Sequence, residues 1–197
     1  MSETLSKNIK LIDHNTLGGF GGVGEGMALQ ITNKGKRILW IAHEGPPKNF
    51  ILELEWKISK GGNSGIIIRA SEDLQYSFMS VIEMQILDDM NHPDGQNPFT
   101  SSGAVYDLYP NQLDITNSFN EWNKVRIIAM NASVKFFLNE VLVNNVVISS
   151  DAWRKAIGNS KFSEYKNFRS EFSNFSSLEK KKFLKISSKS IENRLNG

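Results

Sequence analysis

The stretch Phe50-Ile51-Leu52-Glu53-Leu54-Glu55-Trp56-Lys57-Ile58 carries a large apolar side chain at every even-numbered position. Glu53, Glu55 and Lys57 occupy three of the four alternate positions, and Ile51 occupies the other. Successive side chains of a β-strand point to opposite faces, so this alternation predicts a strand with one buried face and one solvated face.

The segments that follow have the same character and are separated by turn residues rather than by helices. Gly61, Gly62, Asn63 and Gly65 tolerate positive φ, so the segment 60–65 predicts a turn. Hairpins in series favour an antiparallel sheet in an all-β protein. The further predicted strands are 66–70, 78–87, 103–109, 122–130, 134–138 and 141–148. A single short helix is predicted over 152–157, with Ser150 or Asp151 as its cap and Gly158 at its end.

Composition indicates a soluble globular protein, with 40% hydrophobic and 22% charged residues in 197. We expect one domain over 1–172 and a basic Ser/Lys-rich tail over 173–197. The absence of cysteine excludes thiolate zinc sites and cysteine nucleophiles. A net charge of +2 gives no indication of nucleic acid binding, and no apolar run approaches a membrane span.

The tail combines many Ser and Lys residues with scattered Phe, Leu and Ile, and it lacks clean alternation. We therefore expect a helix over 177–185 and no regular closing strand from this segment. A missing strand would leave a sheet edge to be covered or paired, so self-association into a homo-oligomer is left open. The first ten residues lack the apolar core of a secretory signal, but a processed exported protein would look the same, and the compartment stays open.

Four polar residues on the predicted strands are candidates for a binding site: Glu55, Arg69, Glu83 and Gln85. If their strands are neighbours, these side chains lie in a row on one sheet face. Such a row is either a solvated face with cross-strand ion pairs or the polar floor of a sugar cleft, where carboxylates, an amide and a guanidinium bind hydroxyl groups.

The polar loop 88–102 is long enough to suggest a function beyond connection. Asp88 and His92 combine a carboxylate and an imidazole, which can bind a divalent metal ion, the one cofactor that the residues leave open. The Glu-x-Asp-x-x-Glu pattern of laminarinase-like glycosidases does not occur, and Glu83 and Asp88 differ in strand parity. An ordinary two-carboxylate glycosidase is therefore disfavoured.

Several motifs occur together in the order typical of one family. They are 54–59, 61–66, 83–88 with His92-Pro93-Asp94, 103–110, 121–123 with 137–139, and Ser160-Lys161-Phe162. Over roughly residues 10–170 the chain resembles the 3-keto-disaccharide hydrolase family, also described as 3-keto-glucoside lyase/hydratase. The resemblance implies a concanavalin A-like (jelly-roll) β-sandwich and supports the sugar-cleft interpretation.

The resemblance also implies a reaction on a 3-keto-glycoside: proton abstraction at carbon 2, elimination of the glycosidic oxygen, and hydration. On that basis His92 or Glu83 would be the base, Arg69 and a metal near Asp88 would stabilise the enolate, and Lys161 would act with Tyr106 on hydroxyl groups. Glu55, Gln85, Tyr106 and Asp107 would bind substrate. Relatives of this kind are often exported in bacteria.

The chain departs from the family pattern after Phe168, where the usual closing segment is replaced by Arg169 and the basic tail. The alternative function is therefore a non-catalytic carbohydrate-binding module on the same sandwich. A weaker alternative is an interaction domain whose polar sheet face is only solvent surface.

Overall fold

A computed structural model describes residues 4–13, 23–25, 38–41, 49–71, 82–165 and 182–188, with side chains described for 49–68 and 82–165. The strands are β1 (Thr4–Asp13), β2 (Val23–Glu25), β3 (Ile38–Ile41), β4 (Phe50–Ile58), β5 (Asn63–Ser71), β6 (Ile82–Leu87), β7 (Asn123–Met130), β8 (Ser133–Leu138), β9 (Val141–Val147) and β10 (Lys182–Ser188). The helices are α1 (Asp151–Asn159) and two short 3₁₀ helices, Pro93–Gln96 and Lys161–Glu164.

The strands form two antiparallel sheets. The first sheet has the order β2-β1-β4-β7-β8-β9, and the second has the order β3-β10-β5-β6. The described residues are thus mostly β with one short α-helix, as the sequence predicts. No helix among them is long and apolar enough to cross a membrane.

The junction between β4 and β5 moves the chain from one sheet to the other. Gly61 has φ +64°, and the Gly62 amide donates to Ser59 O at 2.9 Å, which closes the predicted turn. Yet β4 pairs with β1 and β7, whereas β5 pairs with β6 and β10. The expectation of an uninterrupted series of hairpins is therefore wrong at this turn, although it is confirmed for β5–β6 and β7–β8–β9.

One hydrophobic core contains residues from both sheets. The apolar halves of the two alternating segments are buried as predicted, and these residues are Phe50, Leu52, Leu54, Trp56, Ile82, Met84 and Ile86. The opposite faces of β4 and β6 must consequently point away from this core.

Leu54→Ala is expected to lower the free energy of unfolding by about 2–5 kcal/mol, because it leaves a cavity where the leucine is 2% exposed. Leu142→Ala is the matched control, since Leu142 on β9 is 45% exposed and the same truncation there should change the free energy by no more than about 0.5 kcal/mol. Chemical denaturation of both variants measures the difference. Equal losses in the two variants would contradict the assigned strand parity.

The tail segment 182–188 is a strand, not a helix. β10 lies inside the second sheet, antiparallel to β3 on one side and to β5 on the other. The predicted helix is therefore wrong for 182–185, and so is the expectation that this segment supplies no regular strand; residues 177–181 lie outside the described residues. A sequence with poor alternation can still form a central strand because its place is fixed by two neighbours rather than by one solvated face.

The segment 103–109 runs beside β6 and covers its edge. Gly103 N donates to Gln85 O at 2.9 Å, Gln85 N to Ala104 O at 3.0 Å, and Tyr106 N to Glu83 O at 3.0 Å. Val105 forms isolated bridges with Met84 and Tyr109, so this segment is not the regular strand that the sequence predicts. It folds back on itself and places Tyr106 and Asp107 next to the polar face of β6.

The predicted helix is confirmed as α1, with Ser150 as its N-cap. The Ser150 side chain accepts from Trp153 N at 3.1 Å, and buried Trp153 and Ile157 fix α1 to the core. The helix continues through Gly158 to Asn159, and Lys161 follows directly in the 3₁₀ helix.

Candidate functional site

Two polar side chains, Glu83 and Gln85, lie on the face of the second sheet that points away from the core. On β6 they alternate with the core residues, and in the register they stand opposite Ile67 and Gly65 of β5. Both are buried despite this outward direction, with Glu83 5% and Gln85 1% exposed. Burying a carboxylate is costly, so this pair is unlike a solvated row of strand charges.

The Glu83 side chain lies across Gly65, where the sheet has no side chain of its own. An ideal Cβ built on Gly65 would stand 2.0 Å from Glu83 Oε1 and 2.7 Å from its Cδ. Gly65 does not have positive φ, so the glycine is needed here for space and not for backbone conformation.

Gln85 is held by its amide and keeps an acceptor available. Its Nε2 donates to Thr100 O at 3.0 Å, which links β6 to the loop 88–102. Its Oε1 is buried and has no hydrogen-bond partner within the part of the chain that the structure describes. A buried oxygen in this position can accept a hydrogen bond from a bound hydroxyl group.

Glu55 does not belong to this group, which corrects the prediction of one shared face. It lies on β4 of the first sheet, opposite Lys124 of β7, while Glu83 lies on the second sheet. Because Leu54 and Met84 both point into the common core, Glu55 and Glu83 point away from it in opposite directions. Nearby Glu53 pairs with Arg126 at 2.6 Å, which is the cross-strand ion pair of a solvated face.

Arg69 is on β5, as predicted, four positions after Gly65 and two after Ile67. The register with β10 shifts between Ile67 and Ala70, so alternation alone does not assign Arg69 to a face. Its side chain lies outside the described residues, so its predicted role stays a prediction.

Asp88 organises the turn between β4 and β5. Its Oδ2 accepts from Gly61 N at 2.7 Å, and its Oδ1 accepts from Asn91 Nδ2 at 3.1 Å. Both oxygens are thus used by protein donors in a residue that is almost fully buried. Among the residues with described positions, no group of three or more His, Asp and Glu side chains could hold a metal ion. The expected metal site at Asp88 and His92 stays a prediction, because a carboxylate oxygen that accepts one hydrogen bond keeps a second lone pair.

His92 is fixed by the residue that follows Pro93. Asp94 N–H donates to His92 Nδ1 at 3.1 Å, so the neutral imidazole carries its proton on Nε2. His92 Nε2 is 3.5 Å from Asn63 Nδ2, and the same amide nitrogen donates to Asp94 Oδ2 at 3.4 Å. This arrangement presents an N–H donor rather than a free lone pair.

Lys161, Tyr106 and Asp107 meet beside Glu83. The Lys161 ammonium lies 3.9 Å from the centroid of the Tyr106 ring, and Lys161 N donates to Asp107 Oδ2 at 2.8 Å. Although the residue as a whole is exposed, partial desolvation of the ammonium lowers the pKa of Lys161. The negative charges of Asp107, Glu83 and Asp94 oppose this shift, which means that Lys161 lies within electrostatic reach of all three carboxylates.

The structure thus brings together Glu83, Gln85, Lys161, Tyr106 and Asp107, with His92 held next to Asn63 and Asp94. Sequence reasoning interpreted Asn63 and Gly65 as turn residues only. The signal that could have identified them is strand parity: both lie an even number of positions from Ile67, which faces Glu83. A glycine and an amide on the polar face of a strand leave room for a ligand.

Comparisons with known proteins show which family and fold the chain resembles. A model of the 3-keto-alpha-glucoside-1,2-lyase-like domain matches residues 7–180. A 3-keto-disaccharide hydrolase from Bacteroides thetaiotaomicron is 36% identical over 132 residues, which are 60% of this chain and 46% of that protein. The chain therefore spans about half the length of this curated relative.

Two solved structures of putative glycosyl hydrolases from Parabacteroides distasonis have a similar fold. Their TM-scores are 0.63 and 0.61, each at 22% sequence identity. The first match covers 72% of this chain and 65% of the other, and the second covers 81% and 78%.

Proposed function

The chain belongs to the 3-keto-alpha-glucoside-1,2-lyase-like domain family, and we propose that it cleaves the glycosidic bond of a 3-keto-glycoside by proton abstraction at carbon 2, elimination and hydration. The observation that carries the proposal is the buried Glu83 carboxylate, held over Gly65 within electrostatic reach of the Lys161 ammonium. We also propose that the two sheets pack as a concanavalin A-like jelly-roll sandwich, which their common core supports.

Glu83 is the base in this proposal. The keto group at carbon 3 acidifies the hydrogen on carbon 2, and the Glu83 carboxylate takes that proton while the electron pair of the C–H bond forms an enolate. Because His92 Nδ1 accepts a hydrogen bond and its Nε2 carries the proton, His92 lacks the lone pair that a base needs. His92 instead donates a hydrogen bond from Nε2 to a substrate oxygen.

Lys161 stabilises the negative charge that develops on the carbon 3 oxygen. Its ammonium lies against the Tyr106 ring, and a cation that is partly removed from water stabilises an oxyanion more than a solvated one does. Arg69, which lies on β5, is a second candidate for stabilising the same negative charge. Gln85, Tyr106 and Asp107 are proposed to bind and orient the sugar.

The enolate then restores the carbon 3 carbonyl, forms a double bond between carbons 1 and 2, and expels the glycosidic oxygen, which takes a proton from water. The hydroxide produced adds to carbon 1, and Glu83, whose carboxyl proton has exchanged with solvent, returns a proton to carbon 2. One water is consumed, one C–O bond breaks and one forms, and Glu83 ends as a carboxylate. These steps need no metal ion.

Incubation with a 3-keto-disaccharide tests the proposal. We expect the release of two monosaccharides, exchange of the carbon 2 hydrogen with deuterium in D₂O, and the same rate after treatment with a chelator. Binding of the sugar without turnover or exchange would contradict the catalytic proposal and favour a carbohydrate-binding module. A rate lost on chelation and restored by a divalent ion would contradict the metal-free steps.

The pH profile tests the role of Lys161. Its lowered pKa means that the ammonium loses its proton at a lower pH than the ordinary value of 10.5, so kcat/KM should fall on an alkaline limb whose midpoint is below that value. In Lys161→Arg the limb should move to higher pH, because arginine keeps its charge. Lys124→Arg, at an exposed position on β7, is the control and should keep the wild-type limb. An unchanged limb in Lys161→Arg would contradict the assignment.

A further inference from the structure

A groove of about 440 Å³ lies between helix α1 and the loops that carry Phe99 and Asp107. We call it the helix-side groove and define it by Phe99, Asp107, Ala152, Lys155, Ala156 and Asn159. The four helix residues follow the spacing i, i+3, i+4 and i+7, so they share one face of α1. Ala152 and Ala156 are small, which leaves the space between helix and loop open.

The helix-side groove adjoins the site around Glu83 through Asp107. This carboxylate lines the groove and also accepts from Lys161 N at 2.8 Å. Asn159, at the end of α1, is two positions before Lys161, whose ammonium lies on Tyr106. A single chain segment therefore forms the groove wall and supplies the cation of the proposed reaction.

The groove has the surface that a sugar ring requires. Phe99 is 42% exposed, and its ring is an apolar platform for the C–H face of a pyranose. Its backbone is fixed, because Phe99 N donates to Asn97 Oδ1 at 3.0 Å and Phe99 O accepts from Asp107 N at 2.9 Å. Lys155 and Asn159 offer exposed donors to hydroxyl groups from the opposite wall. The volume lies within the range of small-ligand pockets.

We propose that the helix-side groove binds the leaving-group sugar of the 3-keto-glycoside. The proposal rests on the proposed function and deepens it, because it assigns the two halves of the substrate to two places: the 3-keto ring near Glu83 and the second sugar between Phe99 and α1. Binding energy from the second sugar then orients the glycosidic bond next to Asp107. Glycosides with a second sugar are preferred over those with a small leaving group.

Measurements with two substrates test the role of the helix-side groove separately from the proposed catalytic function. The kcat/KM values are measured for a 3-keto-disaccharide and for methyl 3-keto-glucoside, and their ratio is compared between variants. Phe99→Leu keeps an apolar group but removes the ring, and it should lower the ratio about tenfold. Phe99→Trp should keep the ratio within about twofold, since it retains an aromatic platform. Leu142→Ala, equally exposed on the first sheet, should leave the ratio at the wild-type value.

The outcomes are distinct. If wild-type protein cleaves neither substrate, the proposed function fails and the inference fails with it. If both substrates are cleaved and the ratio is unchanged in Phe99→Leu, only the assignment of the helix-side groove is overturned. A ratio that falls to the same extent in Phe99→Leu and Phe99→Trp would also overturn it. If Phe99 acts as a platform for the sugar, any aromatic ring at this position should maintain the ratio.

Discussion

Glu83→Gln is expected to lower kcat for a 3-keto-disaccharide by about 10²–10⁴-fold, the usual contribution of a general base. Glutamine has nearly the same shape, so it should occupy the same place over Gly65, but its amide cannot accept the proton from carbon 2. The variant should therefore still bind the sugar and should lose deuterium exchange at carbon 2 together with turnover. Stopped-flow or discontinuous product assays measure the first effect, and NMR measures the second.

Glu55→Gln is the matched control for this experiment. It makes the same chemical change on β4, whose polar face points away from the core on the side opposite to Glu83. Its kcat should stay within about twofold of wild type, as expected for a surface substitution far from the chemistry. If Glu55→Gln lowers kcat as strongly as Glu83→Gln, the active face has been assigned to the wrong sheet.

Gly65→Ala is expected to lower kcat by about 10²-fold without unfolding the protein. The added methyl group would stand 2.0 Å from Glu83 Oε1, so the carboxylate must move, and a displacement of about 1 Å of a catalytic group can cost this much in rate. The end of a flexible side chain gives way more easily than backbone, so the fold should be retained. Circular dichroism and thermal unfolding should therefore stay close to wild type while turnover falls.

Gly158→Ala tests whether a glycine substitution as such is harmful. No atom lies within 4 Å of the Cβ position at Gly158, which is near the end of α1. Alanine should keep kcat unchanged and stabilise the helix by about 0.5–1 kcal/mol. Normal turnover in Gly65→Ala would show that the Glu83 carboxylate does not need its observed position.

The sequence predicts which side chains of a strand are buried, but it does not predict which strands share a sheet. Alternation identifies the core positions of β4 and β6 because burial follows directly from hydrophobic pattern. The turn at Gly61 and Gly62 has the composition of a hairpin turn, yet it connects the two sheets. The parity predicted for Glu55 and Glu83 is correct, since each lies on the polar face of its strand. The predicted pairing of their strands is wrong, because long-range packing decides which strands pair and no local pattern encodes it.

The site residues divide in the same way. Parity on one strand makes Glu83 and Gln85 candidates, and the family resemblance adds Lys161, Tyr106 and Asp107 as further candidates. The tautomer of His92 and the use of both Asp88 oxygens depend on backbone donors at Asp94 and Gly61, which composition does not reveal. The metal site that a carboxylate and an imidazole in this loop suggest stays a prediction.

The central place of β10 has a consequence for how the chain folds. Its residue Lys182 pairs with Ser71, 111 positions earlier along the chain, whereas β7, β8 and β9 close through turns of only a few residues. Loop-closure entropy penalises the first contact far more than the others, and proteins rich in such non-local pairs fold slowly. The three consecutive strands β7, β8 and β9 can form early as a nucleus. The sheet that carries Glu83 is completed only after β10 has docked against β5. Catalytic competence should therefore be acquired in the last kinetic phase of refolding, after most of the β-structure signal has already returned.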